Sequence, residues 1–186
     1  ALRGKVGPVY ARLHEAYQAR SHAACDFRVV DSGPVLDTVE TRAIDLAKLP
    51  LLKHFETDRA PYVTSGIIAA EHPDTGAGNL SYHRAMVHSK SALATSLHSR
   101  GHLWRLLQLY AERGRPMPVA MVIGAHPLFV LAASARVGFG VDERRVAGGL
   151  FGAPLEVVRT PVHGIAVPAA AEIVLEGTID PVAQAE

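Results

Sequence analysis

The stretch that most constrains the fold is a strand, a turn and a second strand between residues 62 and 84. Tyr62-Val63-Thr64-Ser65-Gly66-Ile67-Ile68-Ala69-Ala70 is apolar enough for a buried strand, and Pro73-Asp74-Thr75-Gly76-Ala77-Gly78 supplies the residues that end it. An apolar strand, an Asp/Gly-rich turn and another strand make a hairpin. The second strand, Gly78-Asn79-Leu80-Ser81-Tyr82-His83-Arg84, then carries an amide, a hydroxyl, a phenol, an imidazole and a guanidinium. Half-buried strands ordinarily alternate apolar with polar residues. So dense a run of donors fits a lined binding site, or else an edge strand whose polar side chains are solvated.

The rest of the chain interleaves helical and extended patterns. Residues 9–24 have helical spacing, with Tyr10, Leu13 and Tyr17 on one stripe. Residues 27–30 and 39–44 are expected as short strands, and residues 45–50 as a turn or short helix closed by Pro50. Residues 89–100 are polar and small. Gly101-His102-Leu103-Trp104-Arg105-Leu106-Leu107-Gln108-Leu109-Tyr110 is an amphipathic helix ended by Gly114 and Pro116. Its apolar stripe is already filled by Leu103, Leu106, Leu107 and Tyr110, so Trp104 is expected to be at least partly exposed. Val119-Ala120-Met121-Val122-Ile123 is a continuous apolar run ending at Gly124, as in a buried central strand. Pro127 suits the first turn of a helix reaching about Val137, and Asp142 caps another running to about Leu150. Residues 155–159, 164–167 and 172–176 alternate again. Strands interleaved with helices give an α/β or α+β fold.

Composition excludes several classes of function. The 186 residues are 48% hydrophobic with a formal net charge of +1, as in an ordinary globular protein with a real core. Without a basic excess or a Lys/Arg block, nucleic acid is not an expected partner. Apolar stretches are interrupted well short of a membrane span. The opening Ala1-Leu2-Arg3-Gly4-Lys5-Val6 has no hydrophobic signal core, so a cytoplasmic location is expected. A single cysteine, Cys25, excludes an intrachain disulfide and a Cys-based zinc cluster. No Gly-rich phosphate loop of the Rossmann or P-loop type is present.

Among the ten histidines, His102 stands out because it begins a strongly amphipathic helix, whose first turn offers free N–H groups to an anion such as phosphate. Glu143 opens another helix, where the dipole alone favours a carboxylate. Glu172 and Glu176 share strand parity and fit a solvated face. Asn79 and Arg84 have opposite parity, so serving one ligand requires a bulge or a strand end between them.

Taken in order, several blocks resemble the UbiD family of decarboxylases, which use prenylated FMN. They are Leu49-Pro50, Tyr62 through Gly66, Asp74-Thr75-Gly76, Asn79 through Arg84, Gly101-His102, Pro118 through Gly124, Glu143 through Leu150, and Val167 through Gly177. The resemblance implies a split β-barrel flavin-binding core with flanking helices over residues 27–186, preceded by a helical segment or linker at 1–26. It implies a metal held by Asn79, His102 and Glu143, a mixed oxygen and nitrogen set that suits Mn²⁺ or Mg²⁺, with K⁺ nearby around Ala133-Ser134. Asn79, Leu80, Ser81, Tyr82, His83, Arg84, Gly101, His102 and Glu143 would bind the cofactor.

The family's catalytic unit is a Glu-Arg-Glu network. Arg84 matches its arginine, and Glu186 stands at or next to its first glutamate; the second is absent. The chain therefore resembles a family core truncated at both ends, expected to be inactive by itself. The implied activity is reversible non-oxidative decarboxylation of an aromatic or α,β-unsaturated carboxylic acid. Its implied partners are that acid, a flavin prenyltransferase as cofactor source and, at full length, further copies in a homo-oligomer. The alternative is a flavin- or metal-phosphate-binding module without turnover.

Overall fold

The computed structural model describes residues 11, 14–15, 17–20 and 25–183. Glu186 lies outside them, as does part of the expected 9–24 helix, whose described positions are helical. Among the described residues ten strands are formed: β1 (Arg28–Val29), β2 (Tyr62–Val63), β3 (Ile67–Glu71), β4 (Gly78–Tyr82), β5 (Ala85–Ser89), β6 (Ala92–Thr95), β7 (Met117–Ile123), β8 (Glu156–Arg159), β9 (Ala166–Pro168) and β10 (Ile173–Ile179). Helices span His102–Ala111, Pro127–Ala132 and Glu143–Phe151.

The centre is an antiparallel sheet in the order β10-β7-β3-β4. Its inner strands β3 and β7 are apolar on both sides, as the unbroken run 119–123 anticipated, because each face covers a separate core. Ile67, Ala69, Leu80, Ala120 and Val122 pack with Phe129, Val146, Leu150 and the β8-β9 residues Val157, Val158 and Val167. Ile68, Ala70, Met117 and Met121 on the other face meet Leu103, Leu106, Leu107 and Tyr110 of the His102 helix. Each fully buried leucine of that stripe contributes about 1.5–3 kcal/mol. Trp104 is half-buried beside them.

Two smaller sheets flank this one, β1-β8-β9 and β2-β5-β6. Among the described residues the three sheets do not join into a closed barrel, so the fold is a mixed α+β arrangement and the split-barrel expectation finds no closed barrel here. The expected strand at 62–70 is divided. At Thr64-Ser65-Gly66 the chain leaves β2 and its pairing with β5, then enters β3 in the central sheet. Gly66 permits the crossing because a Cβ there would lie 2.8 Å from Met121 Sδ.

Other expectations need correction. Residues 39–44 form no strand, and Ala43 has a positive φ of 54° that breaks extension. The polar stretch 89–100 contains β6, paired to β5. The Pro127 helix stops at Ala132. Glu176 is not on a solvated face: its carboxylate accepts hydrogen bonds from Thr160 Oγ1, Val162 N and His163 N, and so organises the β8–β9 turn.

Candidate metal and cofactor site

β4 is an edge strand, and an edge leaves backbone N–H groups without a ladder partner. Here two carboxylates take the place of the missing strand. Gly78 N donates to Asp142 Oδ2 and Leu80 N donates to Glu143 Oε2, each at 2.9 Å. Asp142 is also the N-cap of its helix, accepting from Arg144 N at 2.9 Å. Asn79 therefore sits between two amides held by consecutive acidic residues. The hairpin turn and the helix start, 64 residues apart in sequence, form one unit.

On the opposite side of β4 the polar residues form a chain. Ser96 O only accepts, so His83 Nδ1, at 3.3 Å, carries the imidazole proton. His83 Nε2 then accepts from Ser81 Oγ at 3.1 Å, and that hydroxyl oxygen accepts from Asn79 Nδ2 at 3.4 Å. This order fixes the Asn79 amide with its oxygen turned away from Ser81. The side chain is 6% exposed. Burial lowers the pKa of His83, which keeps the neutral imidazole this chain needs.

A strand end, one of the two devices that parity allowed, lies between Asn79 and Arg84. β4 stops at Tyr82, and His83 and Arg84 lie in the break before β5. Tyr82 turns to the opposite face, where its hydroxyl donates to Val130 O at 2.6 Å. Arg84 is exposed, with its carbonyl accepting from Thr95 Oγ1.

His102 arrives from the other core. Its helix packs on β3, β4 and β7, and Gly101 precedes it in extended conformation. The His102 ring meets Phe139 edge-on at 5.5 Å, and Arg105 stacks on the same phenyl ring at 4.1 Å. Phe139 in turn lines a small crevice with Asn79, Gly78 and His72. The structure thus joins Glu143 to the backbone beside Asn79 and brings His102 to the aromatic wall of the Asn79 crevice.

Glu143 is 3% exposed. Desolvation raises its pKa from the ordinary 4.5 to about 7, with the Asp142 charge adding to the rise and the Leu80 N–H and Arg144 opposing it. Among the described residues no three His, Cys, Asp or Glu side chains gather so as to hold a metal by themselves. A cation here would draw on the Asn79 amide oxygen and the Glu143 carboxylate, hard donors that suit Mn²⁺ or Mg²⁺. The residues present fit such an ion, because a buried carboxylate held near neutrality is relieved by a cation.

That shift has a direct consequence for the metal-free protein. The folded-state pKa lies above the unfolded one, so the contribution of Glu143 is fully present below about pH 4.5 and is lost as pH rises through about 7. Urea titrations from pH 4.5 to 7.5 are expected to show stability falling by up to about 3 kcal/mol from this group. In Glu143→Gln the decline should flatten; an unchanged pH profile would remove Glu143 as its source.

A cavity of about 570 Å³ lies elsewhere, between β10-β7-β3, the β5-β6 hairpin and residues 35–46. It shares no lining residue with 79–84, His102 or Glu143, and it is lined mainly by apolar side chains such as Leu46, Ile68, Met121 and Leu175. Donor chemistry, not volume, marks the candidate site.

The buried Arg144 had no distinct signal in the sequence. Only the glycine at 78 hinted at it: a Cβ there would lie 2.2 Å from Arg144 Nη2.

Residues 28–186 match the family model described as UbiD: 3-octaprenyl-4-hydroxybenzoate carboxy-lyase Rift-related domain. An anhydromevalonate phosphate decarboxylase from Methanosarcina mazei is 43% identical over 155 residues, which is 83% of this chain and 35% of that protein. A pyrrole-2-carboxylic acid decarboxylase from Pseudomonas aeruginosa is 34% identical over 173 residues, 92% of this chain and 34% of that protein. The chain thus spans about a third of the length of the curated relatives it matches. An evolved dimeric form of the UbiD-class enzyme HmfF from Pelotomaculum thermopropionicum, in complex with prFMN, is similar with a TM-score of 0.84 and 36% identity. That match covers 88% of this chain and 39% of the HmfF chain.

Proposed function

The chain belongs to the UbiD family, and from that premise we propose that it forms the flavin- and metal-binding part of a non-oxidative, reversible decarboxylase. Both curated relatives described above are decarboxylases, which supports a carboxy-lyase acting on a small carboxylic acid. We assign an aromatic or α,β-unsaturated acid as substrate and prenylated FMN as cofactor; the similarity to HmfF in complex with prFMN supports the flavin. The rest of the proposal is a cytoplasmic enzyme with a split-barrel core at 27–186 after a helical segment at 1–26. It would be supplied by a flavin prenyltransferase and assembled as a homo-oligomer.

Asn79, His102 and Glu143 would hold Mn²⁺ or Mg²⁺ beside the flavin phosphate, with K⁺ near Ala133-Ser134. When bound, the flavin would supply the electron sink that loss of CO₂ from an sp² carbon requires. The protein's own residues would supply position and charge. Arg84, exposed at the strand break, would hold the substrate carboxylate through its permanently charged, forked donors. Leu80, Ser81, Tyr82, His83 and Gly101 would line the cofactor. A family glutamate would deliver the proton to carbon after CO₂ departs, and Glu186 stands at or next to the first of the family's two.

The single observation that carries this proposal is the pairing of Glu143 with the Leu80 amide beside a buried Asn79 whose amide orientation is fixed. Titrating FMN with and without Mn²⁺ tests it. Wild type should bind FMN at least about tenfold more tightly with the metal, a coupling of about 1.4 kcal/mol. Glu143→Ala should lose that dependence by removing the only anionic ligand. Equal, metal-independent affinities for the two proteins would defeat the assignment.

A further inference from the structure

Arg144 is 2% exposed, and every part of its guanidinium is engaged. Nε donates to Asp142 Oδ1 and Oδ2 at 2.9 and 3.0 Å, Nη2 to Asp142 Oδ2 at 2.6 Å, and Nη1 to Glu71 Oε1 at 2.7 Å and Ala166 O at 3.4 Å. The Phe27 ring lies 4.6 Å from Cζ. Asp142, the carboxylate it grips, is the same one that accepts the Gly78 amide. Glu71, the other, ends β3 directly opposite Gly78 in the ladder. The guanidinium therefore spans the start of the Glu143 helix and the first rung of the β3-β4 hairpin. Gly78 has no side chain to prevent it.

We propose that Arg144 is a positioning residue for the metal site: locked between Asp142 and Glu71, it fixes the helix start against the β4 edge and so sets the Glu143 carboxylate beside Asn79. The proposal rests on Asn79 and Glu143 as metal ligands, but the positioning step can be read without a metal. A guanidinium held by two carboxylates on different elements cannot shift without moving both, since bidentate pairing fixes angle as well as distance. Asp142 and Glu143 are adjacent at a helix start, so a rotation that frees Gly78 N also moves the acceptor of Leu80 N.

The double variant Arg144→Gln with Asp142→Asn exchanges the ionic pair for neutral amides, the one at 144 too short to span Asp142 and Glu71, and leaves no buried charge unpaired because Glu71 keeps Arg159. Arg159→Met is the control. It removes the other arginine on Glu71, at 3.0 Å, and touches neither Asp142 nor β4. Amide hydrogen exchange in the metal-free protein is the first readout. The double variant should lose protection at least tenfold at Gly78 and Leu80 while Leu103 through Leu107 exchange as in wild type; Arg159→Met should change neither group. Mn²⁺ affinity, followed by EPR of the free ion, is the second and should fall at least tenfold in the double variant alone.

Unchanged protection at Gly78 and Leu80 overturns the proposal, and so does a uniform loss across both groups, since a purely structural role would weaken the whole fold. Local loss of protection with wild-type Mn²⁺ affinity also overturns it, because the geometry would then be irrelevant to the metal. If wild type itself binds no Mn²⁺, the ligand assignment fails while the exchange data still report the positioning. Should the double variant fail to fold, Gly78→Ala presses on the same guanidinium from β4 and is held to the same outcomes.

Discussion

Arg84→Ala is expected to reduce kcat/KM for decarboxylation by roughly a thousandfold, about 4 kcal/mol of transition-state stabilisation, while leaving Mn²⁺ affinity within about twofold. A guanidinium has no lone pair to give a cation, so metal binding and carboxylate binding separate at this residue. The side chain is exposed, and the backbone is held independently by Thr95 Oγ1 on the Arg84 carbonyl and by His83 N on Gly66 O. Loss of the side chain should therefore cost less than about 0.5 kcal/mol of stability. Arg84→Lys keeps the charge but loses the planar fork, and should recover only part of the activity. Steady-state kinetics on a longer protein that carries both family glutamates, loaded with metal and flavin, beside Mn²⁺ titration of the same samples, make the test. Activity above about a tenth of wild type, or metal affinity falling in step with activity, would remove Arg84 from the role.

Arg144→Met should destabilise the fold by about 3–5 kcal/mol, the usual cost of taking one partner from a buried ion pair. Asp142 is 7% exposed and would be left with its charge uncompensated in a site closed by Phe27 and the β3-β4 hairpin. Glu71 keeps Arg159, so the loss falls on Asp142. By contrast, Arg113→Met breaks an exposed pair with Asp74 and should cost no more than about 1 kcal/mol. Urea unfolding of the two variants compares them directly. A difference below about 1 kcal/mol would mean that the Arg144 network contributes little net stability.

The local elements were legible because local physics sets them. The stripe Leu103, Leu106, Leu107, Tyr110 required a helix with that face buried, and it is buried. The run 119–123 required a strand covered on both sides, and β7 is the inner strand between β10 and β3. Asp142 before an amphipathic segment specified a cap, and its carboxylate accepts the Arg144 amide. Parity asked for a bulge or a strand end between Asn79 and Arg84 if both serve one ligand, since a period of two cannot put both on one face, and β4 ends at Tyr82. Where the sequence misled, as at 39–44 and 62–70, a tertiary demand had overridden the pattern. Ala43 takes a positive φ despite its side chain, and Gly66 lets the chain pass from one sheet to another under Met121.

The site divides along the same line. The family resemblance supplied the candidates Asn79, His102 and Glu143, and their residue types the mixed oxygen and nitrogen donor chemistry they offer. What each does to the others needed three dimensions. Glu143 read as a helix-start acid, and only the fold places its carboxylate on an orphan amide of an edge strand 63 residues away. His83 and Ser81 read as polar strand residues, and only their mutual geometry fixes the Asn79 amide. Arg144 carried no distinct signal in the sequence, and only the fold shows it among the most buried side chains of the described residues. Periodicity along a chain reports which face of an element meets apolar surroundings. It carries no information on which distant backbone group that face will meet, and long-range hydrogen bonds and buried charges are decided there.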